Sequence, residues 1–358
     1  IMGFDPAFRT GCKLAILDGT GKLLHIDKIF PHEPVKKVAE AEKICLNLIK
    51  KYNVSLIAIG NGTASRESEQ FVSELVKKNN LDVKYTLVSE AGASVYSASE
   101  NARSEFPDLH VEERSAVSIA RRVLDPLSEL IKIDPRSIGV GQYQHDLPTK
   151  ELDEKLDFTV LKTVNRVGVD LNTASKELLE HISGLNKSSA NEIVNYRNEN
   201  GLFSNRSELK KVNKIGAKAF QQAAGFLRIK DGKEALDMTS IHPESYKLAK
   251  NILLEHKGLA LGSEELKEAL ANDDVKTLAS KYESDVYTVS DIIKNLSEPL
   301  RDYRDDYAGP ILKSDKLDIN NLSIGEKLQG VVRNVVDFGA FVDIGLHDDG
   351  LVHKSKIS

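Results

Sequence analysis

Apolar and polar positions change their spacing along this chain. From Ile1 to about Asp146, stretches with strand period alternate with stretches of helical period. Lys13-Leu14-Ala15-Ile16-Leu17-Asp18 reads as a strand, Gly19-Thr20-Gly21-Lys22 as a hairpin turn, and Leu23 to Phe30 as the returning strand. Pro34 opens an amphipathic helix with Val38, Ala41, Ile44, Cys45, Leu48 and Ile49 on one stripe. The unbroken apolar run Val54 to Gly60 suits a buried parallel strand. Asn61 to Ser65 turns into a helix carrying Phe71, Leu75 and Val76, and Val83 to Val88 forms a further strand that ends at Ser89-Glu90. A hairpin followed by alternating helices and strands predicts an α/β domain with a mixed sheet.

Helical spacing then takes over. Thr149 caps a helix running to about Asn165, and short helices follow to Ile229. Between Asp231 and about Leu312, small helices start at His242-Pro243-Glu244, Ser263-Glu264-Glu265 and Thr288-Val289-Ser290-Asp291. From Lys327 onward, Val, Phe and Ile residues fall at strand spacing between glycines, as in an all-β module. A chain of 358 residues is too long for one core. The shifts in period place its expected domains at 1–146, 147–230, 231–318 and 319–358.

Composition narrows the function classes. The apolar fraction of 41% is enough for several cores, and the net charge of −5 gives no global basic field. Any polyanion partner must therefore be held by local patches and backbone amides. Cys12 and Cys45 both lie in apolar runs and read as reduced core thiols of a cytoplasmic protein. No stretch approaches the ~20 apolar residues of a membrane span. The residues predict no cofactor and no metal site of their own.

The segment from Val164 to Ile229 carries the most specific chemistry. Asp170-Leu171-Asn172-Thr173-Ala174-Ser175 caps a helix that ends at Ile182-Ser183. Gly184-Leu185-Asn186 turns the chain, and Ser188-Ser189-Ala190 opens the next helix. The layout recurs as Ser207 to Val212, the turn Asn213-Lys214-Ile215-Gly216 and a helix from Ala217. Two helices joined by such a turn form a helix-hairpin-helix. The turn and the helix N-terminus behind it offer N–H groups to a phosphate oxygen. Gly184, Asn186, Lys187, Ser188, Ser189, Gly216 and Lys218 are the candidate contacts, with Lys187, Lys214 and Lys218 adding local charge. Asn186 and Lys214 stand where glycine is usual. Asn tolerates positive φ better than Lys, so the second hairpin is expected to be the weaker contact.

This stretch resembles the hairpin domain of the DNA-uptake protein family. It resembles more closely the Tex family of bacterial transcription accessory proteins, through Val169 to Ser175, Tyr196 to Phe203 and Gln222 to Ile229. Ser115 to Arg122 and Gly139 to Asp146 are also similar to Tex, and the likeness covers essentially the whole chain in order. Arg121, Arg122 and His145 in those segments read as salt-bridging and packing residues. Gly325 to Val332, Phe338 to Asp343 and Gly350 to His353 resemble the opening strands of an S1 domain, an OB-type barrel. The resemblance places Phe338, Phe341 and His353 on a base-stacking face with Arg333, Asn334 and Lys354 as polar contacts. Strict strand alternation would instead face Phe338 and Phe341 oppositely unless a bulge intervenes.

Gly3-Phe4-Asp5-Pro6 and its hairpin resemble an RNase H-like domain of the YqgF or Holliday-resolvase type. In such domains carboxylates hold two divalent ions. Asp5 and Glu90 fit two of those positions. At the third, after His110, Arg114 and Ser115 stand near the expected register, and Glu112 or Glu113 would serve only if the helix began earlier. An arginine there opposes cation binding, so the domain is expected to be catalytically degenerate, with Asp5 and Glu90 as vestiges. The fold expected overall is an RNase H-like mixed sheet, a tandem helix-hairpin-helix, a helical segment and a partial S1 barrel.

Both ends read as cut, and the resemblance implies the C-terminal part of a longer protein. The expected function is RNA or DNA binding with little sequence choice, as a non-catalytic, monomeric scaffold near the transcription machinery. The competing readings are a metal-dependent, structure-specific nuclease and a protein-docking platform built on the helices from Gly232 to Leu312.

Overall fold

A computed structural model describes residues 1–139, 141, 144–256, 259–300, 302, 304, 312, 323–325, 327–328, 330–344 and 350–356. The chain divides into two compact units, Ile1–Gly139 with Gly309–Ser358, and Val140–Ala308. The first unit contains the strands β1 (Met2–Asp5), β2 (Cys12–Leu17), β3 (Leu23–Ile29), β4 (Leu56–Gly60) and β5 (Lys84–Val88) in one sheet of order β3-β2-β1-β4-β5. β1, β2 and β3 pair antiparallel, while β4 lies parallel to β1 and β5 parallel to β4. This is the mixed sheet that the period predicts.

Alternation along β2 separates two cores. Leu14 and Ile16 join Phe4, Ile57 and Ile59 under the helices α1 (Val38–Tyr52) and α2 (Ser65–Lys78). Each such burial stabilises by ~1.5–3 kcal/mol. After β5 come α3 (Ala93–Ala98) and α4 (Glu100–Glu105), then α5 (Val111–Leu124), α6 (Pro126–Leu130) and α7 (Pro135–Ile138). Ala15 and Leu17, on the other side of β2, pack against Ala116, Val117 and Ala120 of α5. Gly3 makes that approach possible, because a Cβ there would strike the Ala116 carbonyl and the Ala120 methyl. α1 starts at Val38, not at Pro34, which lies in a turn. Lys36 at φ 48° bars the helix from running back to it.

The second unit opens with α8 (Thr149–Val167), β6 (Val169–Asp170), α9 (Lys176–Glu180) and α10 (Lys187–Asn200). A 3₁₀ turn (Arg206–Lys211), α11 (Ala217–Ala223) and β7 (Leu227–Arg228) complete the tandem hairpins. β6 and β7 pair in parallel, which clasps the two ends of the tandem together. The helices α12 (Tyr246–Glu255), α13 (Glu264–Ala271), α14 (Val275–Lys281) and α15 (Val286–Ser297) bury Ile252, Leu266, Leu270, Val289, Ile292 and Leu296. Ser263, Asp274 and Asp285 cap α13, α14 and α15, so the last helix begins before Thr288. Arg206, 1% exposed, donates to the carbonyls of Leu227, Thr239 and Ile241 and to the Tyr246 hydroxyl. Residues of the expected 147–230 and 231–318 segments therefore share one packed unit.

The remaining strands are β8 (Val331–Val336), β9 (Gly339–Asp343) and β10 (Gly350–His353), antiparallel in the order β10-β9-β8. Among the described residues they form an open sheet and close no barrel.

Candidate nucleic-acid interface

The first hairpin turn is fixed from two sides. Asn165 on α8 donates to the His181 carbonyl at 2.8 Å and accepts from the Ser183 amide at 2.9 Å. Gly184 takes φ +85°, and a Cβ on it would lie 2.6 Å from Gln222 Cβ and 3.0 Å from the Ala219 carbonyl. Only glycine meets both demands, and the turn thereby rests on α11. The second turn joins it: Lys214 donates to the Ser188 hydroxyl at 2.8 Å and lies 3.7 Å from Glu192. The two hairpins thus stand side by side, with Gly184, Asn186, Lys187, Ser188, Gly216, Ala217 and Lys218 all exposed.

The glycine substitutions act differently from the expectation. Lys214 holds the left-handed position at φ 65°, where Lys costs about 1–2 kcal/mol relative to a relaxed backbone. Asn186 does not take positive φ. It is the N-cap of α10 at φ −146°, and its Oδ1 accepts from the Ser188 amide at 2.9 Å and the Ser189 amide at 3.0 Å. Ser189 returns the favour through its hydroxyl, which accepts from the Asn186 amide, and is 2% exposed. Those two amides are already satisfied, and Ser189 serves the cap. Gly216 caps α11 with no side chain, and nothing lies within 4 Å of its missing Cβ. The second turn, ranked lower from sequence, is the more open one. Lys187 and Lys218 have no ion-pair partner among the described residues, whereas the Lys214 charge is shared with Glu192.

On the strand sheet, Phe338 lies in the turn before β9 and not in a strand. Strict alternation therefore does not govern it, and the Phe338 and Phe341 rings meet edge to face at 6.2 Å. Phe341 pairs with Asn334 and Leu351, and His353 with Gly339, so Asn334, Phe341, Leu351 and His353 share one face. Phe338 is 48% exposed, and His353 and Lys354 are exposed beside it. The backbone of Arg333 lies in β8; its side chain falls outside the described residues, as do Val140, Gln142, Tyr143 and the His145 side chain.

Asp5 and Glu90 meet at one end of the mixed sheet. The Glu90 carboxylate fills the space above Gly60 and Gly62, where any Cβ would collide with it. Burial, and then the Glu90 charge, push the Asp5 carboxyl up to about 6, while Ser115 and Lys13 pull the other way. Ser115 is the α5 residue turned to Asp5. Arg114 is not where the sequence placed it: it is 6% exposed and donates to the carbonyls of Phe106 and Ser97, turned away from the carboxylates. One residue along a helix is about 100° of rotation, which separates these two neighbours. Glu112 pairs with the buried Lys13, and Glu113 accepts from the His110 amide at 2.7 Å as a helix cap. Asp5 thus sits among the Glu90 carboxylate, the Ser115 hydroxyl, the Lys13 ammonium and the charge of Glu112. Arg121 pairs with Glu105 at 2.6 Å, and Arg122 donates to the carbonyls of Ser89 and Ala91.

Four family descriptions match in the order of these modules. Residues 1–124 match the Tex protein YqgF-like domain, 164–228 the helix-hairpin-helix motif, 234–304 the HHH domain and 321–358 the S1 RNA binding domain. The whole chain aligns at 48% identity with the transcriptional accessory protein Tex of Neisseria gonorrhoeae, spanning 47% of that protein. The chain is similar to Tex proteins over its whole length. It is also 54% identical to the uncharacterized protein YdcI of Bacillus subtilis, of which it spans 50%, and 40% identical to the human S1 RNA-binding domain-containing protein 1, of which it spans 41%. The chain thus covers about half the length of the Tex relatives or less. From sequence, Asn165, Asn172, Arg197 and Arg206 carried no hydrogen-bonding role. Asn172 exchanges hydrogen bonds with the Phe203 backbone at 2.8 and 3.0 Å, and Arg197 donates to the carbonyls of Leu171 and Ala174.

Proposed function

We propose that the chain binds RNA or DNA with little sequence choice, as a monomeric scaffold beside the transcription machinery and without catalysis of its own. The observation that carries this reading is the pair of hairpin turns, pinned together by Gly184 on α11 and Lys214 on Ser188, with Lys187 and Lys218 exposed beside them. Phosphate oxygens accept from such main-chain amides whatever the base sequence. The Phe338, Phe341 and His353 face would stack unpaired bases, with Lys354 and Arg333 beside the backbone. The names of the gonococcal and human relatives agree with a transcriptional and RNA-binding setting.

Filter binding of RNA, single-stranded DNA and duplex over several salt concentrations tests the reading. Lys187→Glu with Lys218→Glu should weaken duplex binding and lower the salt slope by about two units. An unchanged affinity would remove the hairpins from the interface.

The convergence of Asp5 and Glu90 favours one second reading, a metal-dependent nuclease. Branched and single-stranded substrates with magnesium or manganese decide it. Cleavage that disappears in Asp5→Asn would replace the scaffold reading.

A further inference from the structure

A cavity of about 420 Å³ lies between the Arg206–Lys211 turn, α11 and the segment leading into α12. Asn205, Ser207, Lys210, Phe220, Lys233 and Tyr246 line it. Two carboxylates also reach the wall, and both are spent within the protein. Glu234 accepts from Lys250 at 2.6 Å and from the Leu236 amide, and Asp237 accepts from the Arg206 amide at 2.7 Å and the Tyr246 hydroxyl. Lys210 and Lys233 are exposed and have no ion-pair partner among the described residues. The Lys210 ammonium stands 4.6 Å from the centre of the Phe220 ring. The cavity therefore offers an aromatic ring with the Lys210 ammonium over one face, a second cation in Lys233 and a hydroxyl and amide rim, at a volume suited to one small ligand (roughly 300–1,000 Å³).

We propose that this cavity takes one unstacked nucleotide, its base against Phe220 and its phosphate between Lys210 and Lys233. The inference deepens the nucleic-acid reading above and rests on it for the source of the nucleotide. Placement supports it. The Phe220 amide donates to the Gly216 carbonyl at 3.0 Å, so the ring stands one helical turn beyond the open hairpin. One turn is about 5.4 Å, a step that brings the neighbour of a phosphate held at Gly216 to the ring. Paired bases resist entry because each must first leave its stack and its partner. The cavity thus favours single strands over duplex.

The test uses the full chain with two probes: 5′-AMP by calorimetry, and a twelve-nucleotide single strand compared with its blunt duplex by filter binding. Lys210→Gln with Lys233→Gln, and separately Phe220→Leu, should each weaken AMP and single-strand binding roughly tenfold while duplex affinity stays within about twofold. Phe220→Tyr should restore both, which separates stacking from a folding defect. Equal loss for single strand and duplex, AMP binding indifferent to the variants, or a phosphoserine peptide that displaces AMP at equal concentration would each overturn the proposal. If the wild-type chain holds no polynucleotide yet binds AMP through Lys210 and Lys233, the cavity stands and the reading under Proposed function falls.

Discussion

Asn186 and Gly216 occupy equivalent positions in the two hairpins and treat the amides behind them in opposite ways. The asparagine accepts from two of them; the glycine leaves its helix start uncovered. Asn186→Gly should therefore cost only a few tenths of a kcal/mol in stability while tightening duplex binding, read from a urea melt and a binding isotherm. Weaker binding in that variant would mean that the Asn side chain itself contacts the ligand. Asp5 gives a second residue-scale prediction. Its folded pKa of about 6 lies above the ordinary carboxylate value, so the folded state holds the proton more tightly than the unfolded chain. Stability then falls as pH rises from about 4 to about 6 and stays lowered above that. Asp5→Asn should match the wild type near pH 4 and exceed it by about 2 kcal/mol at pH 7, measured by urea midpoints at both pH values. Asp5 and Glu90 were paired through the RNase H-like resemblance, whereas the turn glycines are local signals in the sequence itself. It misplaced Arg114 because adjacent helical residues face different surroundings, and only packing decides which of them meets the sheet.

At the scale of elements, the strands and helices were largely legible, since their periods are set by which face is buried. Helix starts were less so: Pro34 and Thr288 gave way to other first residues, and left-handed Lys36 decided one of them. The turn of the first hairpin shows what elements demand of each other. Gly184→Ala places a methyl against the Ala219 carbonyl and Gln222 at a positive φ. It should destabilise the second unit by about 2–4 kcal/mol, seen as a lowered melting midpoint. A midpoint within about 1 °C of wild type would show that α11 is free to give way. The resemblance put Phe338 and Phe341 on one face where strict alternation would part them, and Phe338 escapes that alternation because it lies in a turn.

For the whole molecule, the net charge of −5 hides lysines whose neighbours leave them uncompensated, so total charge says little about where a polyanion docks. Arg206 was equally invisible in the sequence. Its acceptors lie 21 to 40 residues away and three of the four are backbone carbonyls, which carry no side-chain signature. Because it spans both family segments of the second unit, Arg206→Met should strip those acceptors of their donor and destabilise by about 3–5 kcal/mol. Calorimetry should show the hairpins and the following helices losing their common transition; an unchanged single peak would count against the clamp.

The Asn165 amide has a mechanical corollary. With one side-chain group fastened to both His181 and Ser183, the 19-residue α8, about 28 Å long at 1.5 Å per residue, is a stiff lever whose short end is bolted to the first turn. Tilting its free end works directly on that turn, with no slack linker to absorb the motion.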